Sequence, residues 1–206
     1  MHPNPSFRKE SDDQNIAFVR ERAFGTLAVN ASNGPLLSHI PFLLSEDAGV
    51  VELHLVRSNP ILRLLEEPVD AAISVISGDA YISPDWYEVD DQVPTWNYVA
   101  VHLRGTLRRL PQAQLHGVLS RLSASMEERL LPKKPWTSDK MDQNVHEKMQ
   151  RQIVPVIFDV QRIDGTWKLS QNKPDDVRLR AAEGVKQNGI GSETELISQL
   201  MHDAKK

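Results

Sequence analysis

Runs of alternating apolar and polar residues, joined by tight turn signals, place the strongest limit on what this chain can fold into. GTLAVNA (25–31) leads into Ser32-Asn33-Gly34-Pro35. Asn-Gly is favoured in two-residue hairpins because both central residues take positive φ. LLSHIPFLLS (36–45) returns, and Pro41 marks it as an edge strand or a bulge, since proline has no N–H to give a ladder. EDAG (46–49) turns into VVELHLV (50–56); DAAISVIS (70–77) reads as a fourth strand and DAYIS (79–83) as a fifth or its continuation. In VAVHLRGTLRRL (99–110), Val99, Val101 and Leu103 point one way and Ala100, His102 and Arg104 the other. VPVIFDVQRI (154–163), Asp164-Gly165 and TWKLS (166–170) predict a last hairpin. Hairpins dominate, so the spacing predicts a mainly β antiparallel barrel with appended helices. A parallel α/β sheet would alternate strand and helix regularly.

The helices are short. Ser11 with Gln14 makes a capping-box pattern before Ile16, Val19 and Ala23, and Gly25 is expected to end that helix. Pro60 opens a short one after Ser58-Asn59, and Pro111 another carrying Leu115, Val118, Leu119, Leu122, Met126 and Leu130 at helical spacing. Ser138 is expected to cap a helix through Met149, while Pro174 and Ser192, the latter with Glu195, open the last two.

With 206 residues and 40% hydrophobic content the chain can bury a core and is expected to form a single domain, 1–206, with a helical C-terminal extension from about 174. It has no cysteine, which removes disulfides, thiolate metal sites and cysteine nucleophiles and fits a reducing cytoplasm. MHPNPSFRKESDD lacks the apolar core of a signal peptide, and no run of apolar residues is long enough for a membrane helix. A formal net charge of −4 gives no global attraction to nucleic acid. The seven histidines show no metal-ligand spacing, so no metal is expected.

Three stretches could carry chemistry. LHLVRSNP (53–60) delivers Arg57, Ser58 and Asn59 to a helix start, where free amide N–H groups and a forked cation suit phosphate; an ordinary capped helix with a solvated arginine reads the same way. Thr95, Trp96, Asn97 and Tyr98 offer ring faces beside an amide and hydroxyls, as a planar heteroaromatic ligand requires, although the two aromatics could equally be same-face core residues. WKLSQNKP (167–174) gathers donors at a strand end, with Lys168, Ser170 and Asn172 on one side opposite Leu169; a solvated strand end is the plainer reading. Basic runs around Arg104, Arg108 and Arg109, and around Arg178, Arg180 and Lys186, have no helix-turn-helix pattern beside them.

HIPFLL, LHLVRSNP, AYISPDWY, VPTWNYVAVHLRG and KLSQNK stand in the order and approximate spacing of the PaiB-like family, the FMN-binding negative transcriptional regulators, which this chain resembles over roughly residues 1–180. The resemblance implies a six-stranded split β-barrel of the pyridoxamine-phosphate-oxidase-like, FMN-binding type, and a homodimer with FMN in clefts at the subunit interface. It implies that Arg57, Ser58 and Asn59 hold the phosphate and that Thr95, Trp96, Asn97 and Tyr98 lie along the flavin ring. Lys168, Ser170, Gln171, Asn172 and Lys173 would come from the C-terminal strand, and His39 and His54 would line the cleft. Split barrels commonly carry Arg-Lys at the phosphate junction, where this chain has Asn59-Pro60. The residues leave three roles open: a regulator working through DNA or a protein partner, a flavin oxidoreductase, or a haem-binding or haem-degrading protein.

Overall fold

A computed structural model describes residues 2–204. In chain order they form α1 (Asp12–Arg22), β1 (Phe24–Val29), β2 (Leu36–Pro41), β3 (Leu43–Leu44), β4 (Val50–Val56), β5 (Val69–Ile82), β6 (Thr95–Arg109), α2 (Leu115–Glu128), α3 (Gln143–Gln150), β7 (Ile153–Lys168), α4 (Asp175–Asn188), β8 (Gly191–Ser192) and α5 (Thr194–Asp203). Single 3-10 turns at Pro60–Leu64 and Pro84–Tyr87 start with proline, whose fixed φ suits a first helical position. The sheet is open, with strand order β2-β1-β5-β6-β7-β4-β3 and β8 on β5. The six expected strands correspond to the six long ones; β3 and β8 are two-residue additions.

The described residues gather into two compact units. One comprises Ile16–Ser74 and Leu103–Ile163. Here β1 pairs antiparallel with β2 (Thr26 opposite His39) and with β5 (Leu27 opposite Ile73), and β4 pairs with β7 (Leu53 opposite Val156). Leu27, Ile40, Phe42, Leu53, Ile73, Leu103, Leu107 and Phe158 are fully buried. They follow the period of two that turns alternate side chains to one face of a strand. Pro41 sits on β2 at the end of the strand order, as an edge proline must.

The other unit comprises Met1–Asn15, Val75–His102 and Asp164–Lys206. Its helices α4 and α5 pack on each other through Val177, Ala181, Val185, Ile197 and Met201. Arg178 Nε donates to Met201 O at 2.8 Å and Ser198 Oγ to Ala182 O at 2.9 Å, which ties the two helices together.

Several local expectations are corrected. Asp164-Gly165 does not turn; β7 runs straight through it for 16 residues. Glycine is there for close approach, because a Cβ at Gly165 would lie 2.0 Å from Asn15 Oδ1. Ala23, with φ +47°, ends α1 in place of Gly25. Ser138 begins only a 3-10 turn, and Asp142 caps α3 by accepting from Val145 N–H at 3.1 Å. Ser192 belongs to β8, and no side-chain cap forms at α5. Among the described residues no helix is long and apolar enough to cross a membrane.

Candidate functional site

The start of β6 is where the pleat sorts the aromatic-polar motif. Thr95 and Asn97 turn to one face of the strand and Trp96 and Tyr98 to the other, so the four side chains cannot line one cavity within a single chain. Asn97 is completely buried; Trp96 is 45% exposed. Thr95 and Asn97 face a cavity of about 320 Å³, whose wall also includes Tyr87, Lys168, Ser170, Asn172 and Lys173.

β7 ends at Lys168, and the chain then reverses through Ser170, whose φ is +61°. Gln171 holds that reversal: its Oε1 accepts from Leu169 N–H at 2.9 Å and its Nε2 donates to Trp167 O at 2.5 Å. Lys168, Ser170 and Asn172 therefore reach one cavity by a turn rather than by continued strand alternation. Gln171, buried, serves the backbone.

Asn97 Nδ2 donates to Ser170 Oγ at 2.9 Å, and the same hydroxyl lies 3.1 Å from the Tyr87 hydroxyl. Burial pushes the Tyr87 phenol up, with the hydrogen bond to Ser170 acting in the opposite direction. Lys168 Nζ donates to Thr95 Oγ1 and, at 2.6 Å, to Trp96 O. Partial burial lowers its pKa, because the ammonium form loses hydration. Lys173 Nζ donates to Gln92 Oε1 and stands 5.3 Å from the Tyr87 ring centroid. Neither lysine forms an ion pair among the described residues, and Asp91 is the one carboxylate on the wall.

On the opposite face of the strand, Trp96 and Tyr98 line a shallow hollow with Ile76, Ser77 and Asp79. Trp96 meets Tyr81 edge-on at a centroid distance of 6.0 Å.

The remaining candidates lie in the other unit. Arg57 Nε donates to Arg151 O at 2.8 Å, and its Nη2 reaches Gln112 Oε1 at 3.1 Å and Ile153 O at 3.3 Å. Its guanidinium thus clamps the entry to β7 and leaves Nη1 uncommitted. Asn59 Oδ1 caps the following 3-10 turn from Ile61 N–H at 3.0 Å, and Asn59 Nδ2 donates to Ser38 Oγ; Ser58 is exposed. His39 Nδ1 lies 3.0 Å from Thr26 Oγ1 across the β1–β2 pair. His54 has a buried Nδ1 without a hydrogen-bond partner, and burial lowers its pKa.

Six of the fourteen sequence candidates therefore share one cavity: Thr95, Asn97, Lys168, Ser170, Asn172 and Lys173. Tyr87 also lines this cavity; sequence reasoning passed over it, although AYISPDWY carried the signal. A donor-lined cavity with two unpaired ammonium groups fits a polar, phosphorylated planar ligand such as FMN. The fold is that of the split barrels. The superposition on the FAD and heme binding protein from Mycobacterium smegmatis has a TM-score of 0.58 at 18% identity, covering 90% of this chain and 82% of that one. The flavocytochrome Anf3 from Azotobacter vinelandii superposes with a TM-score of 0.55 at 12% identity, over 81% and 72%. Residues 1–162 match the family described as "Putative FMN-binding domain", and the chain belongs to it. Protease synthase and sporulation protein PAI 2 of Bacillus subtilis is 29% identical over 205 residues, 98% of this chain and 97% of that protein.

Proposed function

We propose that this chain is a cytoplasmic, homodimeric FMN-binding regulator. The observation that carries the flavin assignment is the convergence of Lys168, Lys173, Asn97, Ser170 and Thr95 on one cavity with no carboxylate paired to either lysine. Unpaired, partly desolvated ammonium groups favour an anionic ligand, and the amide and hydroxyls suit the edge of a heteroaromatic ring. Arg57, Ser58, His39 and His54 do not line this cavity and carry no part of the assignment. Trp96 and Ile76, 45% and 59% exposed, are large apolar side chains that a second copy would cover in the proposed homodimer. The regulatory role rests on kinship with the sporulation protein over nearly the whole chain. With a net charge of −4, regulation through a protein partner is favoured over direct DNA contact.

A second reading has one specific support. Bound FMN supplies hydride or electron transfer, and Lys168, whose pKa is lowered by burial, would then be a proton donor nearer neutrality than an ordinary lysine. Titration of purified protein with FMN, followed by visible absorbance, tests the main reading. Saturable binding that weakens in Lys168→Ala and Asn97→Ala supports it, and absence of saturable binding overturns it. Turnover of the bound flavin with NADH or NADPH would move the assignment to the oxidoreductase.

A further inference from the structure

Residues 2–7 are seated against the same cavity, and His2, Asn4 and Phe7 form part of its wall. The segment is held at several points. Phe7 is buried, and Asn4 Oδ1 caps the 3-10 turn Pro5–Phe7 by accepting from Ser6 N–H at 2.9 Å. Arg8 lies 3.8 Å from the carboxylate of buried Asp164. These anchors place the His2 ring edge-on to Phe7, centroids 4.8 Å apart, with His2 N–H directed to Thr166 Oγ1 at 3.4 Å.

The tautomer of His2 follows from its neighbour. Asn4 N–H donates to His2 Nδ1 at 3.1 Å, so Nδ1 is the acceptor and the ring proton sits on Nε2. Partial burial and the Lys168 ammonium both hold His2 below its ordinary value, which favours this neutral form. Nε2–H has no partner among the described residues. The cavity wall thus includes a neutral imidazole with an uncommitted N–H and two ammonium groups. A lysine has three N–H donors. Lys168 uses two on Thr95 and Trp96, and Lys173 one on Gln92, so each keeps at least one.

We infer that the N-terminal segment supplies a binding residue: His2, through Nε2–H, completes with Lys168 and Lys173 a site for the phosphate monoester of a ligand. The free N–H donors of Lys168, Lys173 and His2 outnumber the two oxygens of a carboxylate and suit the three terminal oxygens of a phosphate monoester. The phosphate can belong to FMN, which rests on the flavin reading, or to a separate phosphorylated ligand.

The test compares FMN, riboflavin and inorganic phosphate as probes of the full chain and its His2→Ala and His2→Gln variants, by flavin fluorescence and calorimetry. Both variants remove a part-buried ring that packs on Phe7 and accepts from Asn4 N–H, so thermal unfolding of each is read alongside binding. If the cavity takes the flavin's own phosphate, His2→Ala weakens FMN about three- to tenfold, leaves riboflavin unchanged, and His2→Gln, which keeps an N–H donor, recovers part of the loss. If it takes the phosphate of another ligand, the FMN-to-riboflavin preference stays as in wild type while inorganic phosphate binding falls in His2→Ala. That outcome supports the site even where flavin does not bind at all. Equal affinities of wild type and His2→Ala for both FMN and inorganic phosphate would overturn the inference, and they would do so without touching the flavin reading.

Discussion

Asn97 Nδ2 donates to Ser170 Oγ at 2.9 Å with both residues buried, joining the start of β6 to the turn that ends β7. The Tyr87 hydroxyl lies 3.1 Å from the same oxygen, so one serine hydroxyl serves two buried polar groups. Removing the amide leaves that buried network short of a donor.

Asn97→Leu is therefore expected to lower unfolding stability by about 1–3 kcal/mol and to weaken FMN binding together with it. Chemical denaturation and flavin titration on the same samples check both. A variant as stable as wild type would show that the Asn97–Ser170 contact does not hold the cavity together.

Gly165 gives a second case of close approach. A Cβ there would meet Asn15 Oδ1 at 2.0 Å, and that oxygen accepts from Trp167 Nε1 at 2.9 Å. Asn15 is buried, so it cannot swing aside freely. Gly165→Ala should cost about 1–3 kcal/mol through overpacking and loss of the indole hydrogen bond. Thermal unfolding reads this, and an unchanged midpoint would mean that Asn15 has room to relax.

These two positions also show what was legible in the sequence. Period-two alternation and turn residues were enough for the antiparallel sheet, because they report local geometry. Alternation also determines that Thr95 and Asn97 face away from Trp96 and Tyr98, a consequence the aromatic-polar motif obscured when read as one block. Asp164-Gly165 looked like a hairpin turn because Gly serves both tight turns and close contacts; only the approach of Asn15, about 150 residues away in sequence, separates the two. Gln171 looked like a ligand donor and is a turn brace, since its partners Leu169 and Trp167 are backbone groups that carry no sequence signature. His2 lay outside every motif, and only tertiary contact places it in the cavity.

His54 provides a pH test with a definite sign. Its pKa is lowered by burial, and its Nδ1 has no hydrogen-bond partner. Between its lowered folded value and the ordinary 6.5, the unfolded chain binds more protons than the folded one. Stability therefore rises with pH across that window and falls as the solution is acidified through it. His54→Asn, which does not titrate, should flatten the midpoint-against-pH curve below pH about 6.5 relative to wild type. Parallel curves for the two proteins would remove His54 as the source.

Lys168 separates binding from stability most cleanly. Its ammonium is partly buried without a paired carboxylate, and its lowered pKa means that charging it in the folded state is unfavourable relative to the unfolded chain. Between the lowered folded value and the ordinary value of about 10.4, the unfolded state holds more protons, so this group makes stability rise with pH. Below that window it is a net burden on the fold, offset in part by its hydrogen bonds to Thr95 and Trp96. Lys168→Met keeps the apolar stem and removes the charge. It is expected to leave the unfolding midpoint at pH 7 equal to or above that of wild type while weakening FMN by about tenfold or more, since a charge-assisted contact to the ligand is lost. Differential scanning calorimetry with flavin titration measures both quantities on one preparation. A variant that unfolds earlier and binds FMN as tightly as wild type would make Lys168 a structural strut, and the anion-binding role would pass to Lys173 alone.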